Sequence, residues 1–191
     1  MDVNNCSISM KLRVLQAGTT DFPVFFSDLN VLQMGDFTMQ VFYLEDLHAG
    51  QIFQSGTLTV EADQIKKFAA EFDPQPFHLS EEAARCTFFR GLAASGWHTA
   101  ALTMRLLVEG PFKPAGGIIG AGFEELRWPR PVRPGDKLRV EFEILAVRPS
   151  KSRPQQGMVK ARTTTLNQNG DIVQVSVGNL VVPRRTIPPD T

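Results

Sequence analysis

Apolar residues change their spacing three times along this chain. Ile52 to Val60 alternates apolar with polar, which predicts a strand bent at Gly56. From Glu61 to Phe72 the period lengthens. Ile65, Phe68, Ala69 and Phe72 lie at i, i+3, i+4 and i+7, one stripe of a helix that Thr59 would cap and Pro74 would stop. Ser80 is placed to cap a short helix over Glu81–Arg85, with acids in the first turn. Gly96 opens a second long helix that runs to about Glu109. Its apolar positions nearly encircle it, and Arg105 is the only charge before Glu109, so other structure should wrap it.

The last third returns to strand texture in four runs: 120–128, 137–148, 158–167 and 172–183. Asn169-Gly170 predicts the hairpin turn between the last two runs, and Pro134-Gly135-Asp136 predicts another turn. One apolar helix followed by antiparallel strands predicts an α+β domain over 41–185, with the sheet wrapped around the helix. Residues 1–40 show no sustained period and read as a poorly defined N-terminal extension. Met34 or Met39 is an alternative start within it, and 186–191 read as a flexible tail.

Composition narrows the class. At 191 residues and 42% hydrophobic, the chain can bury a core. Twenty basic and twenty acidic residues cancel, which argues against nucleic acid or an anionic membrane as the partner. With two cysteines (Cys6 and Cys86), no signal-peptide pattern and no apolar run long enough to span a bilayer, the expected setting is cytoplasmic. Three histidines in no metal-ligand spacing predict no metal site.

The candidate chemistry sits in Asp73-Pro74-Gln75-Pro76-Phe77-His78. Five residues of helix turn the chain by about 500°, so a carboxylate and an imidazole at that spacing diverge, and on a strand they take opposite faces. Two prolines discourage both elements. The pair can converge only on a rigid folded-back loop, the kind of segment that carries function. The residues alone leave a second reading open, in which Asp73 caps the helix at Ser80 and His78 satisfies a core carbonyl.

Three motifs then resemble one family. Asp73 to His78 is similar to the D-x-N-P-x-H signature of MaoC-like dehydratases and R-specific enoyl-CoA hydratases. Phe89-Arg90-Gly91-Leu92-Ala93-Ala94-Ser95-Gly96 resembles their F-x-x-x-I-x-H-G segment, and Arg130-Pro131-Val132-Arg133-Pro134-Gly135-Asp136 resembles their R-P-V-x-x-G-D turn. Gln75 stands where the signature has Asn, and Ser95 where it has His. Met104 stands where hydratases often carry a hydroxyl, with Thr103 beside it about 100° around the helix.

The resemblance implies a hotdog fold, a homodimer or dimer-based oligomer, and a lyase of fatty acid metabolism. The expected reaction is hydration of a 2-enoyl-CoA, or dehydration of a 3-hydroxyacyl-CoA, with no cofactor beyond the coenzyme A of the substrate. Asp73 and His78 would share and activate one water, and the Gly96 N–H at the mouth of the helix would meet the thioester oxygen. Gln75, Ser95, Trp97 and His98 are candidate substrate contacts. Lys151, Ser152 and Arg153, at a basic hairpin tip, are candidates for the coenzyme A phosphates. The Trp97 and Trp128 rings read as core. Two rival readings are a hotdog thioesterase and a non-catalytic acyl-CoA-binding module. The absence of any carboxylate from Trp97 to Val108 argues against the thioesterase.

Overall fold

The computed structural model describes residues 40–185. Expectations for the N-terminal extension up to residue 39, including Cys6 and the starts at Met34 and Met39, fall outside the described residues. So do those for the tail 186–191.

After a 3-10 turn at Leu44–Asp46 come β1 (Ile52–Gln54), β2 (Leu58–Thr59), α1 (Ala62–Phe72), α2 (Pro76–Leu79), α3 (Glu81–Arg85) and α4 (Gly96–Glu109). Four long strands follow: β3 (Ile119–Arg127), β4 (Lys137–Pro149), β5 (Gln156–Leu166) and β6 (Ile172–Pro183). The sheet order is β1-β4-β5-β6-β3, with β2 also pairing β4, and every strand pair is antiparallel. This is the α+β hotdog arrangement.

The alternation read in β4 is what builds the core. Leu138, Val140, Phe142 and Ile144 all turn to one face and are buried there. Val159, Ala161 and Val173 join them from β5 and β6, and Leu102, Leu106 and Leu107 of α4 lie in the same cluster. Phe112 and Phe142 stack at 4.6 Å, with Phe42 and Phe53 around them. Each buried side chain of this size contributes about 1.5–3 kcal/mol relative to exposure. The β5–β6 hairpin turns through Asn169-Gly170, with Gly170 at a φ of 80° that a glycine adopts without strain.

Several details differ from expectation. The single strand over 52–60 is two short strands separated at Gly56. Thr59 does not cap α1. It lies in β2, and pairing continues through Val60, whose N–H donates to the Asp136 carbonyl at 2.8 Å, so the helix starts later, behind Glu61. Proline does not keep the Asp73–His78 stretch free of helix. Pro76 opens α2, and a first-turn residue needs no N–H donor. Nor is α4 wrapped all round: Trp97, Met104 and Val108 lie on an exposed side, with Trp97 62% exposed. Trp97 and Trp128 are therefore not core residues, because both lie where α4 meets the end of β3 at the surface.

Candidate active site

The cleft is built where α2, the turn before α4 and the segment after β3 converge. It has a volume of about 400 Å³, and its lining includes His78, Phe89, Gly96, Thr99 and Trp128. The α2 turn folds the chain back so that His78 Nε2 lies 3.5 Å from Asp73 Oδ2. The His78 side chain is 5% exposed and that of Asp73 21%.

The other ring nitrogen fixes the chemistry of the first. His78 Nδ1 lies 2.7 Å from the Ala93 carbonyl oxygen. A carbonyl only accepts, so Nδ1 carries the hydrogen, and in the neutral ring Nε2 presents a lone pair. The reading of His78 as a residue that satisfies a core carbonyl therefore holds for one nitrogen and leaves the other free. Asp73 does not cap α3. The Ser80 hydroxyl does so, accepting from the Ala83 N–H at 3.3 Å.

Asp73 is held by two donors. The Ser95 hydroxyl donates to Oδ2 at 2.6 Å, and Gln75 Nε2 donates to Oδ1 at 2.7 Å. The Ser95 bond above all, then the Gln75 bond, hold the carboxyl below its ordinary value against the opposing effect of burial, and a protonated His78 adds to them. Asp73 is thus an ionised acceptor whose oxygens are already partly occupied.

Ser95 has a second task. It is the N-cap of α4, and its oxygen accepts from the Trp97 N–H at 3.2 Å. One buried hydroxyl thereby ties Asp73 to the start of the long helix. The signal was present in the sequence as a serine immediately before a helix-opening glycine. Gly96, as the first residue of α4, keeps an N–H with no intrahelical acceptor. A Cβ at Gly96 would lie 2.9 Å from the Trp128 indole, so only glycine lets that ring approach.

A cation pins the loop that carries these groups. Arg133 Nη1 donates to the carbonyls of Gly91 (2.6 Å) and Leu92 (3.0 Å), and Nη2 donates to that of Phe89. Ala94 N–H donates to the Val132 carbonyl at 2.9 Å. Sequence reasoning assigned Arg133 to a turn motif and missed this role, because the acceptors lie some forty residues away.

The remaining candidates are scattered. His98 does not line the cleft: it is buried, stacks on Phe68 at 4.7 Å and leaves Nδ1 without a partner. Burial holds its pKa below the ordinary value. Trp97 borders a second, apolar hollow further along α4. Lys151, Ser152 and Arg153 are exposed at the β4–β5 hairpin, and none lines the cleft. Among the described residues, no cluster of three or more His, Cys, Asp or Glu is placed to hold a metal, and no helix is long and apolar enough to cross a membrane.

Residues 46–167 match the model of the MaoC-like domain. A crystal structure of a MaoC-like dehydratase from Rhodospirillum rubrum is 59% identical, superimposes with a TM-score of 0.74, and is matched over 76% of this chain and 99% of its own. The uncharacterized protein YdeM of Bacillus subtilis is 34% identical over 139 residues, 73% of this chain and 96% of that one. An (R)-specific enoyl-CoA hydratase of Rhodospirillum rubrum is 27% identical over 148 residues, 75% of this chain and 93% of the hydratase. The chain belongs to the MaoC-like domain family.

Proposed function

We propose that this chain is a lyase that adds water to a 2-enoyl-CoA to give a 3-hydroxyacyl-CoA, and runs the reverse dehydration. The observation that carries the reading is the bare Nε2 of His78 facing an ionised Asp73 beside the cleft. At 3.5 Å these two acceptors have no good direct hydrogen bond, but a water at the edge of the gap can donate one hydrogen to each. Its oxygen lone pairs then face the cleft.

The water oxygen bonds to C3 of the enoyl thioester, and its proton passes to Nε2. The C2=C3 electron pair moves onto the thioester carbonyl as an enolate. The Gly96 N–H, at the positive end of α4, donates to that oxygen. The Asp73 carboxylate stabilises the imidazolium, which returns a proton to C2. One water is consumed and no cofactor takes part beyond the coenzyme A of the substrate. Two donors already occupy Asp73, so His78 is the base and Asp73 orients the water. Gln75 and Ser95 act through Asp73 as positioning residues.

The working form is a homodimer. Among the described residues β3 pairs only β6, and Phe123 lies exposed on it beside the exposed Trp97 and Met104 of α4. Sedimentation should give twice the chain mass; a monomer at assay concentration would exclude the dimer.

The reaction is tested by following loss of the enoyl absorbance of crotonyl-CoA. The expected result is conversion to 3-hydroxybutyryl-CoA with no release of free thiol. Thiol release instead would favour the thioesterase, and tight binding without turnover the non-catalytic module.

A further inference from the structure

Two hollows lie end to end along one stripe of α4. Gly96 and Thr99 border the cleft beside His78, and Ala100, Thr103 and Leu107 border a second hollow of about 110 Å³. These positions follow the i, i+3, i+4 spacing of a single helix face. The second hollow is walled largely by carbon, with Leu126, Phe142 and Ala161 contributing from the sheet, and its rim of Trp97, Met104 and Phe123 is the face given above to the dimer, so a partner copy roofs it. Its chemistry fits a hydrocarbon tail.

One side-chain pair links the linings of the two hollows. Trp128 borders the cleft and Gln174 borders the second hollow. Indole Nε1 donates to Gln174 Oε1 at 2.8 Å. An indole N–H can only donate, so the amide must present its oxygen, and Gln174 is buried, which shields the bond from water. The indole face lies on Gly96, and its other neighbour is Trp97, edge-on at 5.6 Å. Trp128 is nonetheless 38% exposed, which leaves it room to swing outward.

We propose that Trp128, latched to Gln174, is a specificity-determining gate that sets how long an acyl chain the cleft accepts. With the latch closed, the tail of a bound thioester ends in the cleft against the indole. With the indole displaced, the tail runs on along α4 into the apolar hollow. The proposal rests on the acyl-thioester reading above and narrows it to short-chain substrates.

The test is the ratio of kcat/KM for 2-octenoyl-CoA to that for crotonyl-CoA. It should be low in the unaltered protein and rise about tenfold or more in Trp128→Ala, the scale on which hydrophobic pockets discriminate by size. Gln174→Met, which removes the acceptor at similar volume, should move the ratio the same way by less, and it decides the matter if Trp128→Ala does not fold. A ratio unchanged in the folded variants, or an unaltered protein that already takes the long chain equally well, overturns the gate. Calorimetric binding of butyryl-CoA and octanoyl-CoA reads the same preference without turnover. If hydration occurs and neither ratio moves, the gate alone fails. If no hydration occurs but the binding preference shifts, the gate stands and the reaction assignment fails. Neither hydration nor binding overturns both.

Discussion

The segment 73–96 and the sheet β3–β6 are built on opposite rules. The sheet is assembled from repetition. Leu138, Val140, Phe142 and Ile144 alternate inward, and neighbouring strands answer in kind. The segment 73–96 is assembled from single polar bonds, each made once: Ser95 to Asp73, Gln75 to Asp73, His78 to Ala93 and Arg133 to three carbonyls. Burial is forgiving of which apolar residue provides it. A hydrogen bond fixes an atom's position and removes a lone pair, and the site needs both. The sheet and the helix packed on it therefore carry most of the buried core, and the segment carries the chemistry proposed above.

The sharpest way to separate the two is to damage the sheet alone. Ile144→Ala removes a fully buried side chain from β4 and should cost about 2–5 kcal/mol in denaturant unfolding. The rate per folded molecule should stay near that of the unaltered protein. A selective loss of rate would show that the two regions are not independent.

Ser95→Ala cuts the segment instead, and its stability cost should be smaller, about 1 kcal/mol for a lost N-cap. Its signature is in pH. The Ser95 hydroxyl is the largest influence holding the Asp73 carboxyl below its ordinary value of 3.8. A depressed carboxyl contributes stability above 3.8 that is lost as pH falls through the folded value. Without Ser95 the carboxyl titrates at higher pH, so the acid loss of stability should be centred at higher pH in the variant. A centre that does not move would mean that Ser95 does not hold the Asp73 carboxyl down.

The smallest expected effect is at His98, which is as buried as His78 but bonded to nothing through Nδ1. Its folded pKa lies below the ordinary 6.5, so the unfolded chain binds more protons as pH falls through 6.5, and stability falls with it. His98→Leu should leave the hydration rate within a few-fold and flatten the loss of stability on the acid side. Melting curves across that range check the second point. A large loss of rate would place His98 in the chemistry.

This contrast also explains what could be read in advance. The four long strands, both hairpin turns and the span of α4 were legible because periodicity and turn chemistry are local properties. The pairing of Asp73 with His78 was legible as a motif, yet its geometry was misjudged. Two prolines suggested a loop without helix, and Pro76 instead starts a helical turn that swings His78 back. Ser95 looked like a departure at a substrate position because nothing in the local pattern connects residue 95 with residue 73. The Arg133 clamp and the Trp128 latch escaped for the same reason: each joins segments about forty residues apart, and only the fold brings them together. The exposure of Trp97 escaped because an apolar helix face reads alike whether its own chain or another copy covers it.

The account stands on the free lone pair at His78 Nε2, and the initial rate of crotonyl-CoA hydration by His78→Ala measures it most directly. With the folded circular dichroism spectrum retained, kcat/KM should fall by about 10²–10⁴-fold, the range expected when a general base is removed. A folded His78→Ala protein that hydrates crotonyl-CoA at close to the unaltered rate would contradict it.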